Sequence, residues 1–89
     1  MRISIFGLGY VGAVCAGCLS ARGHEVIGVD ISQDKIDLIN LGKSPIVEPG
    51  LGELLAQGIQ TGRLRGTTNF ASAIRDSDLS MICVGTPSK

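Results

Sequence analysis

Three glycines at positions 7, 9 and 12 follow directly on the apolar run Ile3-Ser4-Ile5-Phe6, and the next apolar run ends in Asp30. No other arrangement in the chain constrains the fold as tightly. A strand that turns at once into a helix needs backbone conformations that a Cβ forbids, and Gly7 supplies them. Gly12 then allows the helix to lie close on the strands. Residues 2–30 therefore read as strand, tight turn, helix, strand, which is one βαβ unit with parallel strands.

The same unit defines an anion site. Gly9 leaves room for a bulky anion to approach the main chain. The helix that begins near Tyr10 aims its free N–H groups and positive dipole end at that space. No Asp or Glu occurs between Met1 and Arg22, so no carboxylate competes for it. A Gly-x-Gly-x-x-Gly turn in this context, with an acid closing the second strand, is the dinucleotide-binding pattern, the pyrophosphate lying on the turn and the acid meeting a ribose hydroxyl. A carboxylate at Asp30 would repel a 2′-phosphate, which favours NAD over NADP. Lys35 falls in the first turn of the next helix, where a cation opposes the dipole. Its position calls for another partner, such as the adenine-ribose end of the cofactor; an exposed lysine of no consequence is the alternative.

The rest of the chain extends the unit. In the first helix Val11, Val14, Cys15, Cys18 and Leu19 form the expected buried stripe, with Ala13, Ala16 and Gly17 keeping the helix slim and Gly23 ending it. The second strand covers 25–29. Ser32 caps a helix to about 41, with Ile36 and Ile39 inward and Gly42 closing it. A proline-bearing loop over 43–50 leads to a short helix over 51–59, buried through Leu54 and Leu55. A third strand follows at 64–68, then a helix capped by Asn69 and a fourth strand over 79–84, apolar enough to be central. Gly85-Thr86-Pro87 leaves its carboxyl end. Right-handed crossovers give the sheet order 3-2-1-4, the first half of a Rossmann-type, doubly wound parallel α/β fold. Thr86 then faces the glycine turn across the crevice. A complete domain of this type needs a second half, so residues 1–89 are expected to be the N-terminal part of an NAD-binding domain, marginal on its own.

Composition narrows the function by exclusion. Eight basic and eight acidic residues balance, so no general nucleic-acid surface is expected. No apolar run approaches the roughly 20 residues of a membrane helix, and no signal peptide is visible, which makes the cytoplasm the default location. Gly42-Lys43-Ser44 imitates the end of a P-loop, but the glycine that motif needs is Asp37. Cys15-Ala16-Gly17-Cys18 lies too deep in its helix for an activated dithiol and reads as packing. His24 and Cys83 sit on other elements, so no zinc site is expected. Glu48 could approach the mouth of the site from its loop, or serve turn geometry alone. No catalytic constellation can be assembled.

Four segments together resemble a known family: Ile5-Phe6-Gly7-Leu8-Gly9-Tyr10-Val11-Gly12, Val29-Asp30, Pro45-Ile46-Val47-Glu48-Pro49-Gly50-Leu51 and Val84-Gly85-Thr86-Pro87. They are similar to the nucleotide-sugar 6-dehydrogenases, the UDP-glucose and GDP-mannose dehydrogenases. The stretch from Val11 to Leu19, and Lys43-Ser44-Pro45 with its acidic loop, look most like the GDP-mannose members, which make GDP-mannuronate for alginate; UDP-glucose is the alternative substrate. The resemblance implies cofactor contacts at Tyr10, Val11, Asp30, Lys35 and Thr86. It also implies two successive oxidations of the sugar C6 alcohol with two NAD. The family's catalytic cysteine and lysine and its sugar-nucleotide pocket lie downstream, and the whole protein is expected to be a homo-oligomer. From other classes, a stand-alone nucleotide-binding regulatory half-domain and a small dithiol redox protein are the competing readings.

Overall fold

The computed structural model describes residues 1–83; the expectations placed on Val84, Gly85, Thr86 and Pro87 lie outside the described residues. In chain order the elements are β1 (Arg2–Phe6), α1 (Tyr10–Ala21), β2 (Glu25–Val29), α2 (Gln33–Asn40), α3 (Leu51–Gln60), β3 (Leu64–Thr67), α4 (Phe70–Arg75) and β4 (Leu79–Ile82). The strands form one parallel sheet in the order β3-β2-β1-β4, as the sequence predicts. Phe6 stands level with Val29 on one side and Ile82 on the other, so the carboxyl ends of β1, β2 and β4 are flush. Gly7, Asp30 and Cys83, each the next residue, therefore emerge along one edge.

Alternation along the strands sorts the core into two layers. Ile3, Ile5, Val26 and Leu64 face α1, α2 and α3, where Ala13, Ala16, Ile36, Ile39, Leu51 and Leu55 meet them. On the opposite face Phe6, Ile27 and Val29 pack with Ala73 of α4. Full burial of such a side chain is worth roughly 1.5–3 kcal/mol, so the first, more populous layer carries most of the described chain's stability. Ser4 is buried on the central strand. It is satisfied there by Ser80 Oγ at 2.7 Å and Ser77 Oγ at 2.9 Å. β4 is fixed beside β1 at its start, where the Asp78 N–H donates to the Arg2 carbonyl at 2.8 Å and the Asp78 carboxylate accepts the Arg2 N–H at 3.0 Å.

Local signals set the boundaries as expected. The Ser32 hydroxyl accepts the Lys35 N–H, and Asn69 accepts the Ser72 N–H. Gly42, at φ 76°, closes α2, while the Lys43 N–H reaches back to the Leu38 carbonyl at 2.8 Å.

The face that α1 buries differs from the stripe its larger residues suggest. Gly12, Ala13, Ala16, Gly17 and Ser20 are buried, whereas Val11 is 57% exposed and Cys18 is exposed. Val14, Cys15 and Leu19 flank the core and are only partly covered. The cause is the closeness of packing. A Cβ on Gly17 would stand 3.1 Å from Leu51 Cδ1 and 3.2 Å from Leu54 Cβ, so α3 rests directly on the α1 backbone. The slim side of the helix is the inner side. In α3 itself Leu51, Leu55 and Gly58 are the buried positions, and Leu54 is only partly covered.

Candidate cofactor site

Gly7 leaves β1 with φ 101°, a conformation that disfavours any side chain. Its N–H donates to the Val29 carbonyl at 2.8 Å, which ties the turn to the end of β2. A Cβ on Gly12 would lie 1.7 Å from the Gly7 carbonyl oxygen, so the first turn of α1 is in backbone contact with the loop that precedes it. Gly9 is the opposite case. Nothing approaches within 4 Å of the position its Cβ would take, and it caps α1 without a side-chain hydrogen bond. The Ala13 N–H is the first to enter the helical ladder, at 2.9 Å from the Gly9 carbonyl. The N–H groups of Tyr10, Val11 and Gly12 thus have no intrahelical acceptor and face outward.

These residues border an open pocket of about 450 Å³ lined by Gly7, Gly9, Tyr10, Val11, Asp30, Ile31, Lys35 and Cys83. Six of the eight residues singled out from the sequence line it. Gly12 lies beneath it as the contact that seats the helix, and Thr86 is outside the described residues. Ile31 and Cys83 also line it and were not anticipated. Ile31 is 84% exposed, an apolar side chain standing free beside the strand-end acid. That anomaly is a signal the sequence contained once β2 was placed.

Asp30 does more than wait for a ligand. Its Oδ2 accepts the Leu8 N–H at 2.8 Å and its Oδ1 accepts the Ser32 N–H at 2.9 Å, so the carboxylate clamps the glycine turn to the start of α2. Lys35 adds a charge and no hydrogen bond, its Nζ standing 3.9 Å from Oδ2. The partner sought for Lys35 in the first turn of α2 is therefore, within the chain, Asp30. Burial pushes the Asp30 carboxyl up. The Leu8 and Ser32 N–H groups, the Lys35 ammonium and the Ile31 N–H outweigh it and hold the group below its ordinary 3.8.

Tyr10 separates this pocket from a smaller one of about 190 Å³, where Glu48, Pro49 and Gly50 meet Val14, Leu51 and Leu54. Glu48 lines this second pocket and not the first, and its carbonyl accepts the Leu51 N–H at 3.1 Å, the turn role its loop position also allowed. Cys83 lies against Gly12, 3.5 Å from the position of its missing Cβ. Burial raises its thiol, and the neighbouring Cys15 adds to the shift. The pairing Cys15-x-x-Cys18 dissolves: one thiol turns toward Cys83 and the other is exposed. Among the described residues no His, Cys, Asp and Glu side chains converge as a metal site. No helix among them is long and apolar enough to cross a membrane.

A cavity of about 180 Å³ opens at the other end of the sheet, between Arg2, Glu25, Arg63, Arg65 and Asp76. Its guanidinium groups are engaged: Arg2 with Asp78 at 3.3 Å, Arg65 with Asp76 at 3.2 Å, and Arg63 with the Gly23 carbonyl at 2.9 Å. Those bonds tie strand starts together.

A parallel sheet in the order 3-2-1-4, with a glycine turn, an open helix end and an acid gathered at its carboxyl edge, defines a dinucleotide-binding α/β protein. Residues 1–89 match the UDP-glucose/GDP-mannose dehydrogenase family, NAD-binding domain, and the chain belongs to that family. It is 85% identical, over all its 89 residues and 20% of the relative, to the GDP-mannose 6-dehydrogenase of Pseudomonas syringae pv. syringae. To the UDP-glucose 6-dehydrogenase of Rhizobium meliloti it is 43% identical, with the same coverage of 100% and 20%. It superposes on a ternary complex of GDP-mannose dehydrogenase from Pseudomonas aeruginosa with a TM-score of 0.98 and 82% identity, covering 100% of this chain and 20% of that one. The chain spans about a fifth of the length of the curated relatives it matches.

Proposed function

We propose that these 89 residues form the first half of the NAD-binding domain of a GDP-mannose 6-dehydrogenase. The full-length enzyme oxidises the C6 alcohol of GDP-mannose to a carboxylate, giving GDP-mannuronate, the alginate precursor, with two NAD. It works in the cytoplasm as a homo-oligomer. The observation that carries the reading is the gap in identity along this chain, 85% to a GDP-mannose enzyme against 43% to a UDP-glucose enzyme, on a pocket built for a dinucleotide.

The residues fit the cofactor. The open space at Gly9 and the outward N–H groups of Tyr10, Val11 and Gly12 suit a pyrophosphate. Asp30 and Lys35 stand where an adenosine ribose would present its hydroxyls, with Ile31 as an apolar surface beside the adenine. Thr86, outside the described residues, is included as a further cofactor contact on the family resemblance alone. Bound NAD supplies a hydride acceptor, and this part of the chain holds and orients it. The groups that act on the sugar belong to the part of the protein beyond these residues.

The test is NADH formation by the full-length enzyme with each sugar nucleotide. Two NADH per GDP-mannose, with UDP-glucose far poorer, is the expected result. A preference for UDP-glucose overturns the substrate; no NADH from either overturns the enzyme.

A further inference from the structure

β3 ends the sheet on one side, with β2 its only strand partner among the described residues. In a complete doubly wound sheet of this order further strands join beyond β4, so β3 stays at the outer edge. The carbonyls of Arg63 and Thr67 accept the N–H groups of Val26 and Asp30. Alternate residues of β3 therefore turn their main chain inward, and Leu64 and Gly66 turn theirs out. Unpaired main-chain groups along an edge are a template for another strand. Gly66 is not left open. Its N–H donates to Asn40 Oδ1 at 2.8 Å, and its carbonyl accepts from Asn40 Nδ2 at 3.1 Å. These are the two bonds that a residue of an added antiparallel strand would exchange with it.

The fold brings the amide to that place. Asn40 is the last residue of α2, and Gly42 turns the chain away directly after it. A Cβ on Gly66 would lie 3.3 Å from Ile36 Cδ1 and 3.4 Å from Ile39 Cγ2, so α2 lies low over β3 and its last turn reaches the edge. Asn40 is itself exposed, so it is the two bonds and not packing that hold it there. We propose that Asn40 stands in for a neighbouring strand at the free edge of β3, and that without its amide this edge pairs antiparallel with β3 of a second copy. A second copy fits because every copy carries the same edge, and two such edges related by a twofold axis run antiparallel and complement each other. The strand holds no proline that would block the pairing.

The experiment compares the full-length wild type with Asn40→Ala and Asn40→Asp by sedimentation velocity over a range of concentrations, well below the unfolding midpoint of each. One hydrogen bond is worth about two- to tenfold in an equilibrium constant, so Asn40→Ala should self-associate about tenfold or more strongly than wild type, reversibly on dilution. Asn40→Asp also loses the bond to the Gly66 carbonyl, but it keeps the acceptor and puts a charge on the edge, which opposes pairing. It should hold the wild-type assembly state. Hydrogen exchange gives a second readout: the Gly66 amide should exchange faster than wild type in dilute Asn40→Ala and slow again as the copies associate. Asn40→Ala that keeps the wild-type assembly at every concentration overturns the proposal. So does Asn40→Asp that associates as Asn40→Ala does, or association that leaves the Gly66 amide fast. Should Asn40→Ala not fold, Asn40→Ser, whose side chain is too short to meet both groups, takes its place; if that also fails to fold, the amide is a requirement of folding and the proposal falls. Assembly is read without cofactor or sugar nucleotide, so the result stands apart from NADH formation.

Discussion

Gly12 and Gly7 touch through their backbones: a Cβ on the first would sit 1.7 Å from the carbonyl oxygen of the second. That contact fixes how closely α1 can lie against the end of β1, and so where the helix aims its free N–H groups. Gly9, two residues beyond the turn, has empty space where its Cβ would be.

The two glycines should fail in different ways. Gly12→Ala must push the turn and helix apart and should cost about 3 kcal/mol, the upper end of overpacking. Gly9, with φ −75°, tolerates a side chain locally, so Gly9→Ala should leave stability within about 0.5 kcal/mol and raise KM for NAD by blocking the anion's approach. Thermal midpoints and NAD kinetics of the full-length enzyme separate the two. A Gly12→Ala enzyme as stable as wild type would show that the contact is not a constraint.

Asp30 makes the turn sensitive to acid. Its carboxyl titrates below 3.8 in the folded state, so the stability it contributes is complete above the unfolded value and is lost as pH falls through the lower folded one. At neutral pH, Asp30→Asn should destabilise the enzyme by about 1–3 kcal/mol, since one amide cannot serve both N–H donors. The difference between wild type and variant should shrink as pH drops from about 5 to about 3. Melting curves across that range test it; a gap that stays constant would mean the carboxylate's charge is irrelevant to the clamp.

Much of this was legible in the sequence because it is local. Glycine spacing, the caps at Ser32 and Asn69, the stop at Gly42 and the apolar strands each declare themselves within a few residues, and the order 3-2-1-4 follows from chaining them. The inner face of α1 was not legible in that way. Hydrophobic periodicity finds the most apolar side of a helix, while the side that packs closest is the one with least side chain, here Gly12, Ala13, Ala16 and Gly17. The Asp30 clamp was also hidden, because its partners are main-chain N–H groups whose directions exist only once the turn is folded. Cys83 became part of the pocket only through strand register, which brings residue 83 level with the glycine turn.

The thiols give a chemical test of that register. Burial raises the Cys83 thiol above its ordinary 9.0, and Cys15 raises it further, so little thiolate forms at neutral pH. Alkylation of Cys83 in the full-length enzyme, followed by peptide mass spectrometry, should reach half its limiting rate above about pH 9. Cys15→Ala should move that midpoint down. A Cys83 that reacts fast at pH 7, or is indifferent to Cys15, would place its side chain elsewhere.

The hydroxyl chain beneath α4 is the last relationship that mutation can isolate. Ser4 is buried on the central strand with Ser80 and Ser77 as its side-chain partners, and Ser77 also donates to the Ala73 carbonyl at 2.8 Å. Ser4 is the buried member, so Ser80→Ala leaves its hydroxyl one partner short and Ser4→Ala removes the bond from an exposed Ser80, whereas removing both leaves no buried hydroxyl behind. Ser4→Ala and Ser80→Ala should each cost about 1 kcal/mol, and the double variant clearly less than their sum, with a coupling of about 0.5–1 kcal/mol. Strict additivity in the unfolding midpoints would mean that the two hydroxyls do not depend on each other, and that β1 and β4 are joined at this level by their backbones alone.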